Sequence, residues 1–332
     1  MAKLKPITIV IAALAVIIAC QFVGVNRVMW LIFSRAFLSR AGLGETIYQA
    51  AFLAMSSLSV FLALRTGLWN LGVDGQIIVG LVLAGLGCIY LYPLLPLPSP
   101  LFLLVLLVLV FGLTGSIGML FAWLKGRFMV SEIIVTIMSN YMFYYFALFL
   151  VYGPLRAESS YLPQSALIPQ ELRLKPFFAG MRVDATLLLA VCMILAGYFF
   201  LEKTAMGYSL LFVRENPLAC AYSGLHVGRR YMLSFFLSSG CAGITGMWLL
   251  VSNFHRITDS LMLGYGFTSV VIAILCARSI LLLVPLSVLF AGVMYGAGVV
   301  ERAYAVPSAI AFILQAVIVF IILIGKRCRH GR

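Results

Sequence analysis

Residues 65–76 read Arg-Thr-Gly-Leu-Trp-Asn-Leu-Gly-Val-Asp-Gly-Gln and lie between two long apolar runs. Arg65, Asn70, Asp74 and Gln76 crowd together with Gly67, Gly72 and Gly75 in a chain that is 64% hydrophobic. Lipid does not tolerate such a segment, because an acid at the centre of a membrane helix costs about 2.5–3.5 kcal/mol on insertion scales. The segment must face water, protein or a solute. Two readings stand side by side. One is a cytoplasmic turn, with Gly and Asn supplying turn geometry. The other is a polar hinge that lines a pathway.

The flanking runs set the fold class. The chain has 332 residues, 10% of them charged, and a mean hydropathy of +1.12. About ten apolar runs of spanning length predict an all-α, polytopic transmembrane helical bundle forming a single domain over residues 1–332. A membrane β-barrel needs short alternating strands, and these runs are continuous. The net charge of +13 comes from 23 basic and 10 acidic residues. Those basic residues are scattered between apolar runs, so membrane topology explains them better than nucleic-acid binding does. The expected surroundings are lipid, with no nucleic acid.

Working outward, Lys3 and Lys5 precede a first expected span over Ile7–Val25, where a cleaved signal peptide is the competing reading. Residues 26–44 read as an outer loop or interfacial helix. Further spans are expected over Thr46–Leu64, Ile77–Tyr92, Leu101–Leu124, Ser131–Tyr152, Ala185–Leu201, Tyr231–Val251, Gly264–Ala277, Ser279–Val299 and Ser308–Ile324. Gly112, Gly115 and Gly118 give the fourth span a close-packing face, and Gly292 and Gly296 stand at GxxxG spacing. Residues 153–182 form an expected outer loop with short interfacial pieces, broken by Pro154, Pro163, Pro169 and Pro176. On this ten-span arrangement fourteen of the 23 basic residues fall inside, and both termini are cytoplasmic.

The fifth span carries Glu132, Thr136, Asn140 and Tyr141. Their spacing is mostly four residues, which places them on one helix face. That polar stripe is either hydrogen-bonding glue between helices or a wall facing a solute. Glu132 lies at the helix start, where the dipole favours an acid.

Residues 202–230 form the longest expected inner loop. Asn216 is a good N-cap, Pro217 suits the first helical turn, and Gly224 suits a left-handed stop. A short capped helix presenting Leu218, Ala219 and Tyr222 is either an interfacial helix on lipid or a docking knob. Arg214 and Glu215 precede it and can anchor it.

Absences restrict the chemistry. The chain holds no GxxxxGK[ST] phosphate loop, no HExxH, no GxSxG and no CxxC. Its seven cysteines and three histidines are dispersed, which argues against a zinc site or a disulfide framework. No catalytic residue, metal site or cofactor is expected on this chain, and it is not read as an enzyme.

Four ordered stretches resemble the bacterial ABC-transporter inner-membrane permeases for branched-chain amino acids, ribose and nucleosides, the nucleoside branch most of all. They are Gly67–Gln76, Ser131–Tyr141 followed by Gly153-Pro154-Leu155, Arg214–Gly224, and Gly264-Tyr265-Gly266-Phe267, covering about residues 45 to 300. The resemblance implies a multi-pass permease in the bacterial inner membrane. Its implied partners are cytoplasmic ABC ATPase subunits carrying the ATP, a second permease chain as homo- or heterodimer, and an extracytoplasmic solute-binding protein. It implies that Arg214, Glu215, Asn216, Pro217, Leu218 and Gly224 belong to the helix that couples to the ATPase. Asn70, Asp74, Gln76, Glu132, Thr136, Asn140 and Tyr141 are the candidate path residues. The implied solute is nucleoside-like. Trp69 and Asp74 depart from the Phe and Glu usual in the branch, so riboflavin, a sugar or an amino acid stay open. So does a secondary transporter that works without an ATPase.

Overall fold

A computed structural model describes residues 25–95, 97–157, 161–177, 182–259, 264–276, 279–304 and 315–316. Among them every extended regular element is helical, and Gln164 and Thr258 form an isolated β-bridge. The α-helices are α1 (Val25–Phe33), α2 (Arg40–Leu64), α3 (Val73–Leu86), α4 (Ser99–Phe128), α5 (Glu132–Tyr152), α6 (Ala185–Lys203), α7 (Ala205–Glu215), α8 (Pro217–Tyr222), α9 (Val227–Leu249), α10 (Tyr265–Leu275) and α11 (Leu283–Tyr304). Short π and 3-10 turns extend α3 to Leu94 and α9 to Phe254, and precede α11 from Ile280. Seven helices among the described residues are long and apolar enough to cross a membrane: α2, α3, α4, α5, α6, α9 and α11 with their extensions. The expected spans over residues 7–25 and 308–324 lie outside the described residues, apart from Val25 and the helical pair 315–316.

Helices α2 and α9 form the centre, and the others pack around them. Small residues make this possible, because without a hydrophobic drive in lipid, membrane helices associate through close backbone approach. A Cβ on Gly80 would stand 2.1 Å from the Gly243 carbonyl oxygen, and one on Gly246 only 1.9 Å from that of Ile77, so α3 and α9 touch backbone to backbone. Gly115 and Gly118 seat α4 on Phe236, Phe235 and Ser239 of α9, while Gly112 has open space around it. The close-packing face on α4 therefore holds two of the three expected glycines. Gly292 and Gly296 of α11 meet Phe37 and Ile32, which brings α11 against the α1 region. Residues 26–44 are thus helical over most of their length and packed on the bundle.

Two departures from the sequence reading matter. Helix α10 has 11 residues, about 16 Å at 1.5 Å per residue, roughly half the hydrocarbon thickness. Its first ring, Tyr265, lies 6.4 Å from that of Phe52, the midpoint of α2. Ser269 then shares a hydrogen bond with Ser56 one turn further along α2. Helix α10 thus runs alongside α2 from the middle of the bundle toward the end that carries Leu64. It supplies half a crossing, not the full span expected over 264–277. Second, the inner loop contains an additional helix, α7, started by Thr204, whose Oγ1 accepts from Gly207 N at 3.0 Å. Residues 161–177, within the expected outer loop, contain a single 3-10 turn, Gln170–Leu172. Backbone bonds from Ser165, Ile168 and Leu174 to Ile257, His255 and Val251 lay this segment over the far end of α9.

Candidate functional site

The segment between α2 and α3 is irregular backbone that climbs back into the bundle along α9. Thr66 Oγ1 donates to Ser234 Oγ at 3.1 Å, and Asn70 Nδ2 donates to Ser238 Oγ at 2.8 Å, one helical turn further along α9. Irregular backbone at membrane depth survives only where protein satisfies its polar groups. Asn70, fully buried, does much of this work. Its Nδ2 also donates to Gln76 Oε1 at 2.9 Å. Its Oδ1 accepts from Gly72 N and from Gln76 Nε2, both at 3.1 Å. Gly67 turns the chain with φ +78. The segment is therefore neither a plain cytoplasmic turn nor an open hinge. It is a buried re-entrant loop closed by its own amides.

The polar stripe of α5 completes that satisfaction. Thr136 Oγ1 accepts from Leu71 N at 3.3 Å, Asn140 Nδ2 donates to Leu71 O at 2.8 Å, and Asn140 Oδ1 accepts from Gly75 N at 2.7 Å. Gly72 and Gly75 are tight against Thr136 and Asn140, where a Cβ would meet atoms at 3.0 and 2.8 Å. Glu132 pairs with Lys125 at the helix start. Glu132, Thr136 and Asn140 thus face the loop. Tyr141 does not: it is 52% exposed on the opposite face, with Met138, Met142, Tyr145, Phe149 and Tyr152. A step from 140 to 141 turns the helix by about 100°, so the stripe ends at Asn140. Asp74 points elsewhere again. Its Oδ1 accepts from Gly266 N of α10 at 2.7 Å.

At the end of the molecule carrying Arg65, the expected capped helix is present as α8. Asn216 Oδ1 accepts from Ala219 N at 3.0 Å, Pro217 opens the helix, and Gly224 follows it at φ +84. Leu218 and Tyr222 are 72% and 92% exposed, while Cys220 is buried beneath them. Glu215 is exposed just before the cap. Arg214 reaches back to the loop, with Nη1 donating to Leu64 O at 3.4 Å. Arg65 pairs with Glu202 at the end of α6. An open groove of about 660 Å³ adjoins α8, lined by Ala221, Leu225, His226, Gly228, Arg229 and Met232.

The opposite end holds a polar network that sequence reading missed. Asp184 accepts from Thr186 N at 2.9 Å and from the Ser252 hydroxyl, which also shares a hydrogen bond with Tyr48. The Arg182 guanidinium lies 4.5 Å over the Tyr48 ring, pairs with Glu45 and bonds Asn253. These residues are dispersed in sequence, and only the N-cap pattern at Asp184 was readable locally. His255, in the left-handed region at φ +56, lies beside them. Burial lowers its imidazole pKa below the ordinary value, and the Arg173 and Arg182 charges lower it further. Among the described residues no group of three or more His, Cys, Asp or Glu could hold a metal ion.

Comparison with known proteins gives a consistent result. Residues 42–324 match the family model described as branched-chain amino acid transport system / permease component. The chain is 30% identical to the glucose ABC transporter permease protein of Haloferax volcanii, over 98% of this chain and 89% of that one. It is 28% identical to the guanosine ABC transporter permease protein of Bacillus subtilis, over 84% and 80%. It is 25% identical to the nucleoside ABC transporter permease protein of Lactococcus lactis, over 87% and 81%. No solved structure matches the chain.

Proposed function

Because the chain belongs to the family of branched-chain amino acid transport system permease components, we propose that α8 receives its ATPase subunit and that the exposed face of α5 borders the solute path. The chain is the permease subunit of an ABC transporter, a multi-pass inner-membrane protein. In this reading ATP is bound and hydrolysed on separate cytoplasmic subunits, a solute-binding protein delivers from the outer side, and a second permease chain or copy closes the path. Ten crossings with both termini cytoplasmic complete the arrangement, the eighth made in part by α10.

The observation that carries this reading is α8. A six-residue helix is too short to be stable by propensity alone. Here its start is capped, its stop is left-handed, and Cys220 anchors it, so Leu218 and Tyr222 are held outward on a fixed turn. A knob of this kind transmits a push from a docked partner.

The solute class follows from α5. The exposed faces of α4 and α6 are mainly aliphatic through their centres, with Leu104, Val108, Leu109, Leu188, Val191 and Leu195 outward, as lipid requires. Tyr141 and Tyr145 are outward near the centre of α5, with no hydrogen-bond partner among the described residues. A ring with a hydroxyl suits a flat, polar solute better than acyl chains. The preferred solute is therefore nucleoside-like, with a sugar the next in line. Asn70, Gln76, Thr136 and Asn140 act behind this wall and hold its position.

The test is a Leu218→Asp/Tyr222→Asp double variant. It should insert and purify at wild-type yield yet lose ATPase co-purification. Retained co-purification overturns the docking reading, as does wild-type solute flux in liposomes without any ATPase.

A further inference from the structure

Helix α10 lacks a cap of its own: Gly264 precedes it at φ +69 and offers no side chain. The first N–H groups of any helix need partners from outside it. At α10 the partner is Asp74 of α3, whose Oδ1 accepts from Gly266 N at 2.7 Å. The fit leaves no slack. A Cβ on Gly266 would stand 2.5 Å from Asp74 Cγ and 2.7 Å from Asp74 N. Asp74 makes no ion pair among the described residues. The Asp74 side chain is thus held by a backbone N–H at the start of α10.

The same segment is tied to the docking end. Arg214, two residues before the Asn216 cap, donates to Leu64 O. Its Cγ lies 3.4 Å from where a Cβ on Gly67 would stand. From there the chain is pinned to α9 through Thr66 and Asn70, and to α5 through Leu71 and Gly75, before it reaches Asp74. Packed and hydrogen-bonded contacts therefore run without a gap from α8 to the middle of the bundle. Continuity of this kind permits coupling, and a measured response is needed to establish it.

We propose that Asp74 is a positioning residue that couples α10 to the docking end. The re-entrant segment moves with α8 and Arg214, and the Asp74 carboxylate carries the start of α10 with it. The proposal rests on the docking reading of α8. It assigns Asp74 a partner inside the chain and not a contact with solute.

The experiment uses the assembled complex of the permease with its ATPase subunits in lipid nanodiscs. Spin labels are placed at Leu104 on the outward face of α4 and at Ile274 near the far end of α10, in a cysteine-depleted background. The distance between them is measured without nucleotide and with ATP plus vanadate. In the otherwise native chain the distance should shift with nucleotide. Asp74→Leu keeps a similar branched shape and removes the acceptor for Gly266 N; it should retain co-purified ATPase and ATP hydrolysis while the shift falls to less than half. If Asp74→Leu fails to assemble, Gly266→Ala, which pushes the start of α10 off Asp74, should give the same loss. A full shift in either assembled variant overturns the proposal, as does an absent shift in the native complex that still hydrolyses ATP. Failure of the ATPase to co-purify with the native chain removes the docking reading itself, and this inference falls with it.

Discussion

Asn70→Ala should be among the costliest single truncations in this chain. The substitution removes two donated and two accepted hydrogen bonds at a fully buried site. Ser238 keeps a partner, because its hydroxyl still donates to Ser59 O at 2.7 Å. Gln76 Oε1, Gln76 Nε2 and Gly72 N keep none among the described residues. Leaving a buried polar atom unpaired costs about 1–3 kcal/mol, and hydrogen bonds within membrane proteins average nearer 0.6 kcal/mol. Taking about 1 kcal/mol for each of the three orphans gives about 3 kcal/mol, or roughly a 100-fold change in the unfolding equilibrium. The assay is reversible unfolding in mixed detergent and SDS micelles, read by circular dichroism. The same accounting makes a second, sharper demand. Adding Gln76→Leu removes two of the three orphans, so the double variant should recover about 1–2 kcal/mol relative to Asn70→Ala alone. A loss under about 0.5 kcal/mol for the single variant would refute the reasoning, as would a double variant less stable than Asn70→Ala.

Three further outcomes are expected. Gly80→Ala and Gly246→Ala each drive a methyl group into backbone of the facing helix, where nothing can move aside, and should cost about 1–3 kcal/mol in the same unfolding assay. Gly112→Ala, with nothing within 4 Å, should instead be neutral or stabilising by up to about 1 kcal/mol. His255 gives a pH dependence at the opposite end. Its folded pKa is depressed, so above the ordinary value of about 6.5 the imidazole is neutral in both states and stability is unaffected. As pH falls through that value the opened state takes up the proton first, and the docking of residues 165–174 weakens until the folded pKa is also passed. Hydrogen exchange of Ser165, Ile168 and Leu174 amides should therefore be faster at pH 5.5 than at pH 7.5, after correction for intrinsic rates. His255→Asn, which tolerates the left-handed backbone, should remove the difference.

The parts of this molecule that were legible in the sequence are those with a local cause. Apolar runs placed the long helices to within a few residues. Asn216, Pro217 and Gly224 marked α8, because caps and left-handed stops are set by neighbours in the chain. Gly115, Gly118, Gly292 and Gly296 marked close contacts. Illegible were the contacts made across many tens of residues. Periodicity put Glu132, Thr136 and Asn140 on one face, but nothing in it says that this face meets Leu71 and Gly75. Tyr141 was drawn into the stripe by adjacency alone. Hydropathy over 264–277 gave an apolar run but not its depth, which follows from Ser269 and Tyr265 meeting the middle of α2. Helix α7 lies inside the expected inner loop over residues 202–230, although Leu210 and Val213 bury one face of it.

The re-entrant loop itself has no local energetic reason to exist. A turn at Gly67 followed at once by helix would satisfy more of its own backbone and need fewer buried amides. Instead the chain breaks, and Asn70, Gln76, Thr136 and Asn140 are recruited to satisfy the break. Helix α10 repeats the pattern, since its bare start needs Asp74 from another helix. The two meet inside the bundle, where the helix that follows the first break supplies an acceptor to the start of α10. The polar residues that first stand out in an apolar sequence are thus a consequence of the two breaks, whose backbone groups they satisfy.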